Sequence, residues 1–271
     1  MAIASPSQMA AIVELDAELE VIRKELGALS TDACAPEISI YWRGLGDELV
    51  QLAAELRDDP RQRRDVDQWR TTTLDGTFAL FAGETERARE YTDQALPLGE
   101  EPWGEAGQVV HALVHLVVDV LEGDSATAVG NWRRIGELVP SDAMRCVQAW
   151  AEARFGDRAT AEQLIDQPAT RLDLLTVNFM GGFGLVGLGE AVILLERVDV
   201  VPALVPVLEP LADQMLGHPW APCFAAADVL ARLHRLAGND EESHLAAARA
   251  RRLYDRLGAE SFTDRLDDEF R

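Results

Sequence analysis

Ala82-Gly83-Glu84 followed by Ala88, Glu122-Gly123-Asp124 followed by Ala128, Phe155-Gly156-Asp157 followed by Ala161, and Ala237-Gly238-Asn239 followed by Ser243 are four copies of one phrase. In each, a glycine stands before an acidic or amide residue, and a small residue follows five places after the glycine. Each copy lies between two amphipathic runs of helical length. Recurrence of one turn at a fixed scale marks an array of stacked helix pairs. From Gly83 to Gly123 is 40 residues, from Gly123 to Gly156 is 33, and from Gly156 to Gly238 is 82, or two units of 41. A turn is therefore missing near Arg197, where Glu196-Arg197-Val198-Asp199 has lost its glycine.

Working outward from these turns, five helix pairs are expected. They run over about 66–81 with 84–96, 104–121 with 125–138, 142–155 with 158–166, 172–196 with 200–215, and 220–237 with 240–257. Residues 97–102 read as a connector, Pro140 as a break with Ser141 capping the next helix, and Gly217 with Pro219 as a separator. An N-terminal pair, about 7–29 and 38–56, precedes the array and ends at Asp58-Asp59-Pro60. A short tail helix is expected over 262–270. The sequence reads as an N-terminal segment 1–64 and an array over 65–271, one continuous solenoid. Strand alternation is not evident, so the fold class is all-α.

Composition agrees. A hydrophobic fraction of 48% supplies a core, and aromatics at 6% leave it rich in Ala, Leu and Val, as in stacked helices. The net charge of −22 disfavours nucleic acid and anionic membrane as partners. The basic clusters at 61–64 and 249–252 lie among acidic residues and read as solvated surfaces. Cys34, Cys146 and Cys223 are odd in number, with no CxxC, as in a reduced cytoplasmic protein. Residues 1–8 show no signal peptide, and the longest apolar run, 177–195, is broken by glycines and Glu190.

The turns and small residues resemble tetratricopeptide repeats. In that family one small residue stands seven before the turn glycine and another five after it. Gly76, Ala149 and Ala231 fill the first place; Ala88, Ala128 and Ala161 fill the second. The segments 187–197 with 203–212, and 233–244 with 250–259, are similar to the degenerate repeat region of large bacterial ATPase-type transcriptional regulators and nucleotide cyclases. The resemblance covers about 66–259. Neither a GxxxxGK[ST] loop nor a helix-turn-helix is evident here. The resemblance implies a right-handed solenoid whose first helices line a concave face.

On that phase, Trp69, Thr73, His111, His115, Arg145, Gln148, Asn178 and His234 are candidates for the concave surface, where aromatic and Arg side chains anchor ligands. His111 and His115 stand at i and i+4, with Asp119 at i+8, which is the geometry one helix offers to a metal. The glutamate of HExxH is absent, since Ala112 stands there, and no metal or cofactor is assigned. Gly182-Phe183-Gly184-Leu185-Val186-Gly187 matches GxGxxG, but its flanks are helical. The glycines at 181–189 point to close helix contact or to a helix kinked beside a ligand, so Gly182 joins the candidates.

The expected function is a non-catalytic interaction or regulatory module that holds a peptide or helix of a partner protein, basic by charge complementarity. The alternative is a small-molecule sensor or an enzyme of specialised metabolism, with the ligand inside the superhelix.

Overall fold

The structure, a computed structural model, describes residues 36–58, 65–123, 128–175 and 180–270. The expected helix over 7–29 and the candidate Asn178 lie outside these residues. The chain is mostly helical and all-α in class. The elements are α1 (Pro36–Trp42), α2 (Gly46–Asp58), α3 (Asp65–Phe81), α4 (Thr85–Trp103), α5 (Glu105–Glu122), α6 (Ala128–Leu138), α7 (Asp142–Phe155), α8 (Arg158–Asp166), α9 (Leu172–Leu175), α10 (Gly181–Leu194), α11 (Val201–Leu208), β1 (Met215–His218), β2 (Ala221–Ala225), α12 (Ala226–Leu236), α13 (Asp240–Leu257) and α14 (Glu260–Glu269). Single 3-10 turns lie at Pro168–Thr170 and Glu209–Leu211.

Two of the four quoted turns share one backbone solution. Gly83 N–H donates to Leu80 and Glu84 N–H to Ala79; Gly238 donates to Arg235 and Asn239 to His234. These paired bonds satisfy the last carbonyls of a helix and need a left-handed residue at the turn. Gly83 (φ +75°) and Gly238 (φ +78°) supply it. The turn expected near Arg197 is present with the same bonds: Glu196 donates to Ile193 and Arg197 to Val192. Glu196 takes the left-handed conformation itself, at φ +57°. The Gly156 turn differs, with φ −123°. There the buried Glu152 carboxylate accepts from the Asp157 N–H, and Asp157 caps α8 by accepting from the Thr160 N–H.

The small residues sit where helices of a pair cross. A Cβ on Gly76 would stand 3.5 Å from the Ala88 carbonyl and 3.4 Å from the Thr92 hydroxyl. Ser243 donates to the Ala231 carbonyl at 2.7 Å. Two of the α10 glycines, Gly184 and Gly187, serve the same end. A Cβ on Gly187 would meet the Cys146 backbone at 2.8 Å, and one on Gly184 would meet Ala143 Cα at 2.9 Å. So α10 lies backbone to backbone on α7, which explains glycines that otherwise cost about 1 kcal/mol each in a helix.

Several boundaries differ from expectation; the segment expected as one helix over 172–196 is described as α9 and α10. The helix expected over 38–56 is two, because Gly44 (φ +66°) turns the chain between α1 and α2. The expected connector at 97–102 is helical, and α4 runs to Trp103. Pro97 lacks the N–H that would reach the Asp93 carbonyl, yet packing of α4 between α3 and α5 holds the helix through it. Finally, 215–225 is a β-hairpin rather than helix ends and a separator. The expected 200–215 helix runs through Pro206 and stops at Leu208, where a 3-10 turn containing Pro210 follows. The strands pair antiparallel, Met215 with Ala225 and His218 with Ala221, with an irregularity between Met215 and Gly217, where Gly217 has φ +89°.

That hairpin is wholly buried and touches α1, α3, α5, α10 and α12. Tyr41 of α1 donates toward the carbonyls of Leu216 and Cys223 and accepts from Cys223 N–H; Trp42 donates to Gly217. Thr77 of α3 donates to Pro219 at 2.5 Å. The chain also closes on itself. Gly46 at the start of α2 lies against the Arg256–Leu257 backbone of α13, and Phe262 of α14 packs edge-on to Phe81 of α3. The helix pairs thus form a ring around the hairpin, and Phe224 of β2 sits among Trp150, Phe262 and the Arg265 guanidinium, which lies 3.7 Å from its ring centroid.

Candidate functional site

Helices α4 and α5 are antiparallel and joined by one residue, Gly104, at φ +52°. So short a link fixes their relative register. It sets Asp93 of α4 opposite His111 and His115, one turn apart on α5. His111 Nε2 donates to Asp93 Oδ1 at 2.7 Å and His115 Nε2 to the same oxygen at 3.0 Å, with ring centroids 4.3 Å apart. Both rings are half-buried and Asp93 is 61% exposed, so the cluster opens to solvent.

A second layer orients it. Arg89, one turn before Asp93, lies 3.4 Å from His115 Nδ1 and donates to Asp119 at 2.6 Å and Glu122 at 2.7 Å. Asp119 was expected beside the histidines; its carboxylate is instead taken by Arg89, and Asp93 stands in its place. Burial lowers the His115 pKa, His111 lowers it further, and Asp93 opposes both. Partial burial acts to raise Asp93, but hydrogen bonds from the two imidazoles outweigh it and hold the carboxyl below its usual value.

Next to this cluster is a groove of about 250 Å³ where α4, α5 and α6 meet. Its apolar floor is Leu96, Ala112 and Ile135. Glu100, Gln108, Asn131 and Arg134 form the rim with His111. The volume is below the roughly 300–1,000 Å³ of pockets that enclose drug-sized molecules. It suits one or two inserted side chains.

The other sequence candidates have other neighbours. Trp69 is buried between Gly99 and Trp220, whose ring lies 4.9 Å away edge-on, and Thr73 is buried with its hydroxyl donating to Trp69 O at 2.9 Å. Both belong to the core around the hairpin, because the hairpin occupies the space their helix faces. Arg145 is exposed and donates to Gln167 at 2.7 Å. The half-buried Gln148 amide lies against Gly136. Gly182 packs on the Gly217 backbone, 3.0 Å from where a Cβ would stand. His234 is buried, with Nε2 3.7 Å from Glu209. Of the described candidates, the structure joins His111 with His115 and Trp69 with Thr73; the other described ones have separate neighbours.

A buried ionic network was missed entirely. Arg265 of α14 donates to Glu190 of α10 at 3.0 Å and to Asp228 of α12 at 3.1 Å. Arg232 donates to the same two carboxylates, and Tyr254 donates to Asp228 at 2.7 Å. The i, i+4 spacing of Asp228 and Arg232 in the otherwise apolar run 226–233 was the available signal. Burial raises Asp228, and Arg265 opposes that rise.

Comparison with protein-family models, with curated proteins and with solved structures finds no match to this chain.

Proposed function

We propose that this chain is a non-catalytic interaction module, built as a tetratricopeptide-like right-handed helical array, that seats a basic peptide or helix of a partner protein in the α4–α5–α6 groove. The repeated turn bonds and the small-residue crossings support the repeat type. The groove carries the functional reading: an apolar floor of Leu96, Ala112 and Ile135 beneath a polar rim suits an inserted aliphatic or aromatic anchor. The net charge of −22 supports a basic partner, through attraction at encounter more than through contact energy. The seat differs from the concave interior expected of such arrays, because residues 215–225 fill that space. A small molecule held inside the ring would have to displace them.

The thiols among the described residues are unreactive. Cys146 and Cys223 are free thiols, both buried, and burial pushes Cys223 up to about 12 and Cys146 higher still. A thiol so protonated is no nucleophile. Among the described residues, no helix is long and apolar enough to cross a membrane.

Selection of displayed random peptides on the purified protein tests the reading. Recovered sequences are expected to combine Lys or Arg with an apolar anchor and to bind less tightly as salt is raised. Asn131→Trp, which obstructs the groove from an exposed position, and Glu100→Arg, which reverses a rim charge, should each weaken them at least about tenfold, or ~1.4 kcal/mol. Peptides that bind both variants as well as the wild type would overturn it.

A further inference from the structure

We propose that Asp93, His111 and His115 bind a divalent first-row transition ion, with Zn2+ as the reference ligand. The three residues offer ligand atoms that all lie within 4.8 Å of one another. Metal bonds of about 2.0–2.2 Å place neighbouring donor atoms about 3.0–3.6 Å apart. The Asp93 oxygen is 2.7 and 3.0 Å from the two Nε2 atoms. An opening of a few tenths of an ångström therefore admits an ion, and Asp93, on an exposed face of α4, has the freedom to give it.

The scaffold is preorganised. Two ligands come from successive turns of α5, and the third comes from α4, held opposite by the one-residue link at Gly104. Two imidazoles and one carboxylate leave positions open for water or an outside ligand, an arrangement that takes first-row transition ions and disfavours Mg2+ and Ca2+, which prefer oxygen donors. Excess acidic charge on the chain attracts cations generally, so the imidazoles are what make this site selective.

The proton bookkeeping is specific. A carboxylate oxygen cannot donate, so in the ion-free state both rings carry hydrogen on Nε2. Coordination through Nε2 displaces that hydrogen and leaves Nδ1 as the only ring nitrogen that can carry one. At His115 the new Nδ1–H would face Arg89, another donor, 3.4 Å away. Arg89 thus opposes the ion both by charge and by hydrogen-bond polarity. Gln in its place can turn a carbonyl toward Nδ1–H.

Zn2+ titration of the chelator-stripped full chain by calorimetry, with Co2+ ligand-field absorption as a second readout, tests this. One equivalent should bind, and excess Mg2+ should not displace it. His111→Gln, His115→Gln and Asp93→Asn should each weaken binding by about 100-fold or more, since loss of even an outer-shell partner typically costs 10–100-fold. Arg89→Gln should tighten it several-fold, a gain that a purely structural histidine pair would not show. Circular dichroism establishes that each variant is folded. Absence of saturable Zn2+ binding by the wild type, or affinity unchanged in the His111→Gln/His115→Gln double variant, would overturn the proposal.

Discussion

The Ser261 hydroxyl donates to the carbonyl oxygen of Leu80 at 2.6 Å, across 181 positions of chain. Beside it, Phe262 packs edge-on to Phe81 at 5.5 Å, to Phe224 at 5.2 Å and to Tyr254 at 5.4 Å. An open repeat array has contacts only between neighbouring units, and its stability is close to a sum over them. Here one phenylalanine joins the first pair, the hairpin and the last pair.

Phe262→Ala should therefore cost about 3–5 kcal/mol and loosen both ends of the array together. Urea unfolding of the wild type, followed by circular dichroism and by tryptophan fluorescence, is expected to give coincident transitions. Separated transitions would show that the ring is not one cooperative unit.

Arg265 compensates two buried carboxylates at once. Glu190 and Asp228 are 3% and 0% exposed, and Arg232 alone would leave two negative charges against one positive. Arg265→Met keeps the packing over Phe224 and removes the charge. It should destabilise by about 3–5 kcal/mol, the usual cost of leaving a buried charge unpaired. Pairing it with Glu190→Gln should recover part of the loss, and a double variant no more stable than Arg265→Met would show the two residues to be uncoupled.

The turns were readable because their chemistry is local: Gly83 and Gly238 announce a left-handed residue, and even the glycine-less turn at Glu196 could be placed by counting. Helix periodicity likewise found α3, α5, α7, α13 and α14. What local patterns could not show was long-range. Residues 215–225 are too short and too uniformly apolar for their period to be read, and their burial depends on Tyr41, Trp42 and Thr77, all over 140 positions away in sequence. The same limit affected the site. His111 and His115 are neighbours by helix geometry alone, but Asp93 joins them only because Gly104 folds α4 back on α5. Trp69 and Thr73 are buried in α3, against a space that the hairpin fills.

His218 gives the hairpin a pH dependence. It is 1% exposed, and its ring lies 4.1 Å from Trp220. Burial depresses its pKa well below the usual 6.5. Above 6.5 the ring is neutral in both folded and unfolded chains, so it carries no penalty. As pH falls below 6.5 the unfolded chain takes up a proton that the folded chain resists, and stability is lost progressively toward the folded pKa. His218→Gln should show a shallower loss between about pH 6.5 and 5 than the wild type in urea titrations. Parallel curves for the two would show that His218 does not contribute.

Glu196 should be improvable. It holds the left-handed conformation at φ +57° that Gly83 holds at +75° and Gly238 at +78°, with the same pair of terminal hydrogen bonds. A residue with a Cβ is disfavoured there by about 1–2 kcal/mol, whereas glycine costs about 0.5–1 kcal/mol in chain entropy. Glu196→Gly should then stabilise by about 0.5–1 kcal/mol, raising Tm by about 1–4 °C for a chain of this size. Glu196→Ala, which keeps the Cβ, should not. Gly83→Ala should move the other way and destabilise by about 0.5–1 kcal/mol, since it puts a Cβ in the same conformation. If Glu196→Ala stabilises as much as Glu196→Gly, the gain comes from removing a carboxylate in an acidic chain, and the backbone explanation fails.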